Sequence, residues 1–467
     1  MSPRTTIKIM TFLALIGTSY NASAELGDYG FWQTLKNLIW PMNADNPVTH
    51  EQQTAQHYPL LSNPNNFNDG FSGGDYLQWQ TVQLHPSTGA ICGNGSPYKF
   101  FVNRVADTSN TIVYMEGGGA CWDYASCSGQ SGIRGARNPN GVPDDYMSLL
   151  NPGASLVSPF VVRLHPWTRT KTQGWNMVYV PYCTGDIYSG DRVAVYDDPS
   201  GENDPLVWHH NGTKNLRAVV AWLKNNLQRP AQMLATGCSA GGAGSLANYY
   251  PLRRDMEPTK SYLINDSGPI YPAVVGGSTD TYPSLKLQNH IRNVWGLDSN
   301  GVGPLNYLNN EMPSFNLNNL GTLSGALAQT FPNDRLGQVH FWEDLNYSSY
   351  SYERFYDDIV NEPNQNERER KIHEKWYQDT NNLIGNLANF DNFGYYFPRY
   401  RDVNESHCAT IIDFNHGDIQ EMGLELKDFI KDVMEGSGSV MQASEEDRVS
   451  DFNKPFNLIY WLIEQLL

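Results

Sequence analysis

From about residue 76 the chain alternates short, almost uninterrupted apolar runs with stretches of helical periodicity. The runs at 111–115 (TIVYM), 176–181 (NMVYVP), 232–236 (QMLAT), 261–265 (SYLIN) and 338–342 (QVHFW) each lead into a turn or a polar segment. Apolar runs this short, without polar alternation, predict strands buried on both faces, as in a parallel sheet. Over 213–227, Leu216, Val219, Val220, Leu223 and Leu227 form one stripe at helical spacing, as do Met422, Leu426, Phe429, Ile430 and Val433 near the end. Such stripes predict helices laid on the sheet. The expected fold is therefore α/β, with a mostly parallel central sheet, helices on both faces and long insertions. Two segments, 270–336 and 345–405, lack strong periodicity and are rich in Asn, Tyr and Pro; segments of that length are expected to be lids or binding elaborations.

The ends read differently. Residues 1–24 combine Arg4 and Lys8, an apolar stretch from Ile9 to Ile16, and Ala22-Ser23-Ala24. That is the pattern of a secretory signal peptide cleaved after Ala24, and the stretch is short of the roughly 20 apolar residues of a membrane span. The expected location is secreted or periplasmic, with no membrane span in the mature chain. Residues 25–75 read as an irregular extension with one short helix over 31–40, 76–436 as the catalytic domain, and 437–467 as a linker and an apolar helix over 456–467.

Composition narrows the function. The 467 residues carry a formal net charge of −17, with 17% charged, 40% hydrophobic and 12% aromatic residues. The aromatic content argues against a disordered chain, and the acidity against nucleic-acid binding, which needs clustered Lys and Arg. The acidic run DDPSGEND (197–204) lacks the spacing of a defined calcium loop and is expected to be a solvated turn. Six cysteines in an exported chain favour disulfides over metal ligation, although their number alone leaves the connectivity open. Cys121 and Cys127 are close enough to staple one loop, and Cys92 and Cys183 flank two polar turns.

The chemistry concentrates at Gly237-Cys238-Ser239-Ala240-Gly241-Gly242, which follows an apolar strand and precedes a small-residue helix. G-x-S-x-G in that setting is a sharp turn that exposes a nucleophilic Ser Oγ at a helix N-terminus. Acyl transfer also needs N–H donors for an oxyanion. Glu116-Gly117-Gly118-Gly119, after the first buried strand, offers Gly118 and Gly119, joined by Ala240 N–H. The base is expected C-terminal to Ser239, where the chain has His290, His340, His373, His407 and His416. His407 is preferred because it precedes the last sheet-covering helix and is followed by Cys408, as Ser239 is preceded by Cys238. A Cys238–Cys408 disulfide would then tie base to nucleophile; His416 is the fallback. For the acid, Asp344 after the penultimate strand is preferred by chain order to Asp266 in Asn265-Asp266-Ser267-Gly268.

With these residues in view, the chain resembles the pectin acetylesterase and Notum family of serine carboxylesterases. The resemblance rests on MEGGGACWD (115–123), VYVPYCTGD (178–186), GCSAGGAGS (237–245), NDSGP (265–269) and the region around His407. It implies an α/β-hydrolase fold, a Ser239–Asp344–His407 triad, no cofactor or metal, pairing of Cys92 with Cys183 and of Cys121 with Cys127, and a structural or pocket-supporting role for Asp186. The Cys238-Ser239 and His407-Cys408 pairs are also similar to the CS-D-HC arrangement of tannases and feruloyl esterases, which implies the third disulfide. The expected function is a secreted carboxylic-ester hydrolase that removes acetyl or other short acyl groups from a polysaccharide, with an acylated glycan as partner. The aromatic stretches 342–356 and 390–400 would offer flat surfaces to sugar rings. The alternatives are a lipase-like or polyester-cleaving esterase with a longer acyl pocket, and a catalytically silent scaffold.

Overall fold

The computed structural model describes residues 48–50 and 76–446, apart from 132–134, 148–157, 166–167, 299–300, 402–403 and 416. The expected leader, the 31–40 helix, the 456–467 segment and His416 lie outside the described residues. The strands are β1 (Val48–His50), β2 (Trp79–Leu84), β3 (Lys99–Asn103), β4 (Thr111–Met115), β5 (Asn176–Val180), β6 (Arg192–Tyr196), β7 (Leu206–His210), β8 (Gln232–Cys238), β9 (Lys260–Asp266), β10 (Arg335–Val339), β11 (Phe393–Phe397) and β12 (Gln442–Ser444). Ten of them form one sheet in the order β1-β2-β3-β5-β4-β8-β9-β10-β11-β12, while β6 and β7 pair as a separate hairpin. Only β3 runs antiparallel to its neighbours in the large sheet. Every residue of β4 and β5 is buried, which is why these strands read as continuous apolar runs. In the hairpin, Ala194 and Trp208 are buried while Val193, Val195 and Val207 are exposed.

Helices α1 (Gly212–Asn226), α2 (Ala240–Ala247), α3 (Tyr249–Met256), α4 (Leu285–Val294), α5 (Pro304–Glu311), α6 (Thr322–Thr330), α7 (Leu345–Tyr352), α8 (Gln365–Leu387) and α9 (Leu426–Glu435) connect and cover the strands. The architecture is α/β with a mostly parallel sheet, as expected. The loops after β4, β8, β9, β10 and β11 leave the sheet at its carboxyl edge, where open α/β sheets build their sites.

Several boundaries differ from the sequence reading. The penultimate buried run forms a strand three residues earlier, at 335–339, because its pairing with β9 and β11 begins at Arg335 and Leu336. Met422 stands in a separate 3₁₀ turn, half exposed, outside α9. The sheet continues past 436: β12 pairs in parallel with β11, and Glu445, buried behind it, accepts the Arg399 N–H at 2.7 Å. A three-residue strand held mainly by backbone pairing leaves almost no hydrophobic signature. The 345–405 segment is not lid throughout, since it includes α8 and strand β11. In α8 the buried residues Ile372, Trp376, Thr380, Leu383 and Leu387 do keep helical spacing. They are diluted by charged positions on the other faces.

The aromatic stretches are divided. Trp342, Tyr352, Tyr356, Tyr396 and Phe397 are buried in the main core, whereas Tyr347, Tyr350, Phe355, Phe390 and Tyr395 pack against it half-buried. Large rings there gain more from burial, roughly 25 cal/mol per Å² of apolar area, than from display.

Asp379 of α8 joins three segments. It accepts the Ser284 N–H at 2.7 Å and the Tyr352 hydroxyl at 2.8 Å, both on one carboxylate oxygen, and the other oxygen is buried with no hydrogen bond among the described residues. Burial pushes its carboxyl up to about 7, against the lowering effect of those hydrogen bonds. A carboxyl raised in the folded state binds a proton that the unfolded chain has released, so its stabilisation is complete below about pH 4 and is lost as pH rises through about 7. Asp379→Asn should therefore match the parent in thermal melts at pH 4 and exceed it at pH 8, by on the order of 2–4 kcal/mol. Parallel melting curves across that range would refute this assignment.

Candidate active site

The turn that carries Ser239 is built by close backbone approach. Ser239 links β8 to α2 with φ 57° and ψ −123°, a conformation that non-glycine residues rarely adopt. Its N–H donates to the Asp266 carbonyl at 2.9 Å. A Cβ on Gly241 would lie 2.0 Å from the Met115 carbonyl oxygen at the end of β4, so only glycine lets the turn and the neighbouring strand meet. Ser239 is half-buried, at the N-terminus of an eight-residue helix whose first N–H groups have no intrahelical acceptor.

The Gly-rich loop after β4 runs beside this turn. A Cβ on Gly117 would lie 2.5 Å from the Cys238 carbonyl oxygen, and Gly118 and Gly119 take φ values of 134° and 57°. Among the described residues, the N–H groups of Gly118, Gly119 and Ala240 donate to no other backbone or side-chain group. Glu116 anchors the loop. Its buried carboxylate accepts the Tyr182 N–H at 2.9 Å, Asn138 Nδ2 at 3.1 Å and the Tyr146 hydroxyl, with Arg137 Nε at 3.5 Å. The Tyr188 hydroxyl donates to the Glu116 carbonyl at 2.8 Å.

Asp186 holds Tyr188 in turn. Its buried carboxylate accepts Thr184 Oγ1 at 2.7 Å, the Tyr188 N–H at 3.1 Å and the Gly212 N–H at the start of α1 at 2.8 Å. Burial raises its pKa to about 6, with these hydrogen bonds working against the rise. This links the YCTGD segment, α1 and the Gly-rich loop. Among the described residues, the hydrogen bonds of Asp186 reach neither Ser239 nor His407.

His407 and Asp344 come together: His407 Nδ1 lies 2.7 Å from Asp344 Oδ2, both side chains being almost wholly buried. Asp344 also caps α7, its Oδ1 accepting the Tyr347 N–H at 2.8 Å. One carboxylate thus orients a ring and starts a helix. The Tyr347 ring packs 6.3 Å from the imidazole. The three disulfides are Cys92–Cys183, Cys121–Cys127 and Cys238–Cys408. A ring nitrogen of His407 and the sulfurs of Cys238 and Cys408 lie within 4.8 Å of one another, so the third disulfide sits directly beside the imidazole. With both sulfurs in that bond, the cluster offers no thiolate to a metal.

Asp266 occupies a different place from Asp344. Its carboxylate accepts the N–H groups of Ala409 and Thr410, at 2.9 and 2.7 Å, and the Thr410 hydroxyl at 2.7 Å. Burial raises its pKa and these bonds oppose the rise. Sequence reasoning missed Arg401, buried at the foot of the His407 loop. Its guanidinium donates to the carbonyls of His407 at 2.9 Å and Cys408 at 2.6 Å, and lies over the Phe341 ring. A lone Arg in a polar loop carries no motif that would have singled it out. Asp198 in the acidic loop uses its carboxylate on Ser200 and Asn203 of the same turn, as a solvated turn would.

An apolar cavity of about 90 Å³ lies between the α2–α3 junction, the segment after β9 and helices α4–α6. Ile187, Pro269, Ile270, Leu287 and Leu323 line it, and Tyr347 forms part of the wall, between the cavity and His407.

Comparison with known proteins bears on this geometry. Residues 72–275 match the pectinacetylesterase family model, a span that holds the Gly-rich loop, Ser239 and Asp266 and ends before Asp344 and His407. Palmitoleoyl-protein carboxylesterase NOTUM of Drosophila melanogaster is 28% identical over 218 residues, 43% of this chain and 30% of the relative. Pectin acetylesterase 7 of Arabidopsis thaliana is 29% identical over 192 residues, 40% of this chain and 44% of the relative. The chain thus spans less than half the length of these curated relatives. The crystal structure of the Wnt deacylase Notum from Drosophila aligns with a TM-score of 0.42 and 20% identity, over 66% of this chain and 81% of that one. Over residues 72–275 the chain is thus similar to the pectinacetylesterases, and over part of its length it is similar to the Notum carboxylesterases.

Proposed function

We propose that the protein is an exported serine carboxylic-ester hydrolase that removes short acyl groups, acetyl first among them, from a glycan. The observation that carries this reading is the 2.7 Å contact between His407 Nδ1 and Asp344 Oδ2, in a loop joined by disulfide to the residue before Ser239. In this reading Ser239 Oγ attacks the ester carbonyl while His407 Nε2 takes its proton. Asp344 accepts the Nδ1–H and stabilises the imidazolium. The N–H groups of Gly118, Gly119 and Ala240 receive the carbonyl oxygen as it becomes anionic. His407 then gives the proton to the departing alcohol oxygen. Water, deprotonated by the same imidazole, cleaves the acyl-enzyme and regenerates Ser239.

Relatives named as pectin acetylesterases and as palmitoleoyl-protein carboxylesterases bracket the acyl group. The short end is preferred because the apolar cavity beside Tyr347, at about 90 Å³, is small and is lined by neither Ser239 nor His407. Export is supported by the 1–24 pattern and the three disulfides, and no described helix is long and apolar enough to cross a membrane. The second reading, a longer acyl pocket, draws on the apolar lining of that same cavity beside Tyr347.

Hydrolysis of p-nitrophenyl esters from acetate to palmitate decides between them. The expected result is highest kcat/KM at acetate or butyrate, with a steep decline beyond. An optimum at eight carbons or more would replace the acetylesterase reading with the second one. No hydrolysis of any ester, by folded protein, would reject both.

A further inference from the structure

Asp266 is bonded to both halves of the candidate site while making no bond to the His407 ring. Its main-chain carbonyl accepts the Ser239 N–H, and its carboxylate takes the N–H groups of Ala409 and Thr410 and the Thr410 hydroxyl. The Ser267 hydroxyl extends this set, donating to Asp266 Oδ1 at 3.0 Å and accepting the Cys408 N–H at 3.0 Å. Asp266 and Cys238 are also register partners across β8 and β9.

The loop that needs holding is strained. Asn404, Glu405, Ser406 and Cys408 all have φ between 52° and 63°, and Ile412 has φ 69°. Non-glycine residues in that region cost on the order of 1 kcal/mol or more each and persist only where surrounding structure over-determines them. Arg401 fixes the carbonyl side of residues 407 and 408, leaving the N–H side of residues 408–410 to Ser267 and Asp266.

We infer that Asp266 is a positioning residue: its carboxylate seats residues 408–410 against the nucleophile turn and so sets the place of the His407 ring relative to Ser239 Oγ. The inference rests on the reading of Ser239 and His407 as nucleophile and base. The Cys238–Cys408 disulfide spans the same two segments, so carboxylate and disulfide are parallel tethers. Each limits the drift of the base when the other is removed, and their removal should be more than multiplicative.

The test is Asp266→Asn, which replaces one acceptor oxygen by a donor among donors. Rates are measured on p-nitrophenyl acetate per active site counted with a fluorophosphonate probe. The expected result is kcat per site about 10- to 100-fold lower with KM within about twofold, and a larger fold loss in a Cys238→Ala/Cys408→Ala background. A purely structural role would lower the number of labelled sites and leave kcat per site and KM unchanged, overturning the inference. A loss equal to that of Asp344→Asn would make Asp266 the acid and would also overturn it. Should Asp266→Asn not fold, Thr410→Val and Ser267→Ala each remove one bond of the network and are expected to lower kcat per site by about threefold or more. Unchanged kcat in both would refute the inference. His407→Ala separates the two levels: retained activity there rejects the base reading itself, whereas an inactive His407→Ala beside fully active Asp266 and Thr410 variants rejects only the positioning role.

Discussion

Ser239→Ala is expected to lower kcat on p-nitrophenyl acetate by five to six orders of magnitude, roughly the cost of deleting a serine nucleophile from a working triad. The fold should be unaffected. The substitution removes one oxygen from a half-buried side chain, and no hydrogen bond of the described structure depends on that hydroxyl. Alanine meets the same backbone demand at φ 57° as serine does, so strain is unchanged. Residual activity then measures what the Gly-rich loop and substrate binding supply without a nucleophile. The checks are steady-state kinetics and a thermal melt on the same preparation. A variant that melts within about 2 °C of the parent and keeps more than 1% of its kcat would place the nucleophile elsewhere.

Asp344→Asn is expected to cost about 10⁴-fold in kcat, the loss typical when the carboxylate behind a catalytic histidine is neutralised. Asn presents either an N–H to His407 Nδ1, which selects the wrong tautomer, or a carbonyl that leaves the imidazolium without a counter-charge. Helix capping is the complication, since Asp344 also accepts the Tyr347 N–H at the start of α7. Asn caps helices nearly as well as Asp, so this variant separates the two roles, whereas Asp344→Ala would also lose about 1 kcal/mol of stability. The accompanying measurement is a melt, expected to shift by no more than a few degrees. A fall in kcat of less than tenfold, with the cap intact, would remove Asp344 from the mechanism.

These two substitutions also mark where sequence reasoning was strong and where it depended on folding. Ser239 was legible because the G-x-S-x-G turn is local: a strand, a tight corner and a small-residue helix are all written within a few consecutive residues. The Gly-rich loop was legible for the same reason. The buried strands around them could be read because full burial on both faces leaves an uninterrupted apolar run. β12 and the interior of the 345–405 segment could not, since a strand held mainly by backbone pairing and a helix with dilute apolar positions leave weak patterns.

The choice of partners at a distance is a different kind of information. Asp344 and His407 are 63 positions apart, and the preference for Asp344 rests on chain order and on the family resemblance, not on any local pattern. What separates it from Asp266 in space is position relative to the strand: Asp266 is the last residue of β9, whereas Asp344 lies five residues beyond the end of β10. The loop after β10 carries Asp344 to the imidazole, while Asp266, at the end of β9, meets the backbone of 409 and 410 instead. Arg401 and the carboxylate of Asp186 likewise acquire their roles from carbonyls and N–H groups that no pattern of side chains announces. The sequence by itself determined the fold class, the strand-to-helix turn that carries Ser239 and the glycines beside it, because hydrophobic periodicity and turn chemistry act over a few residues. Only the tertiary structure decided which carboxylate faces the histidine, which one accepts the N–H groups of 409 and 410 and which aromatic rings are buried, because those outcomes depend on how distant segments pack and on the desolvation each buried charge must offset.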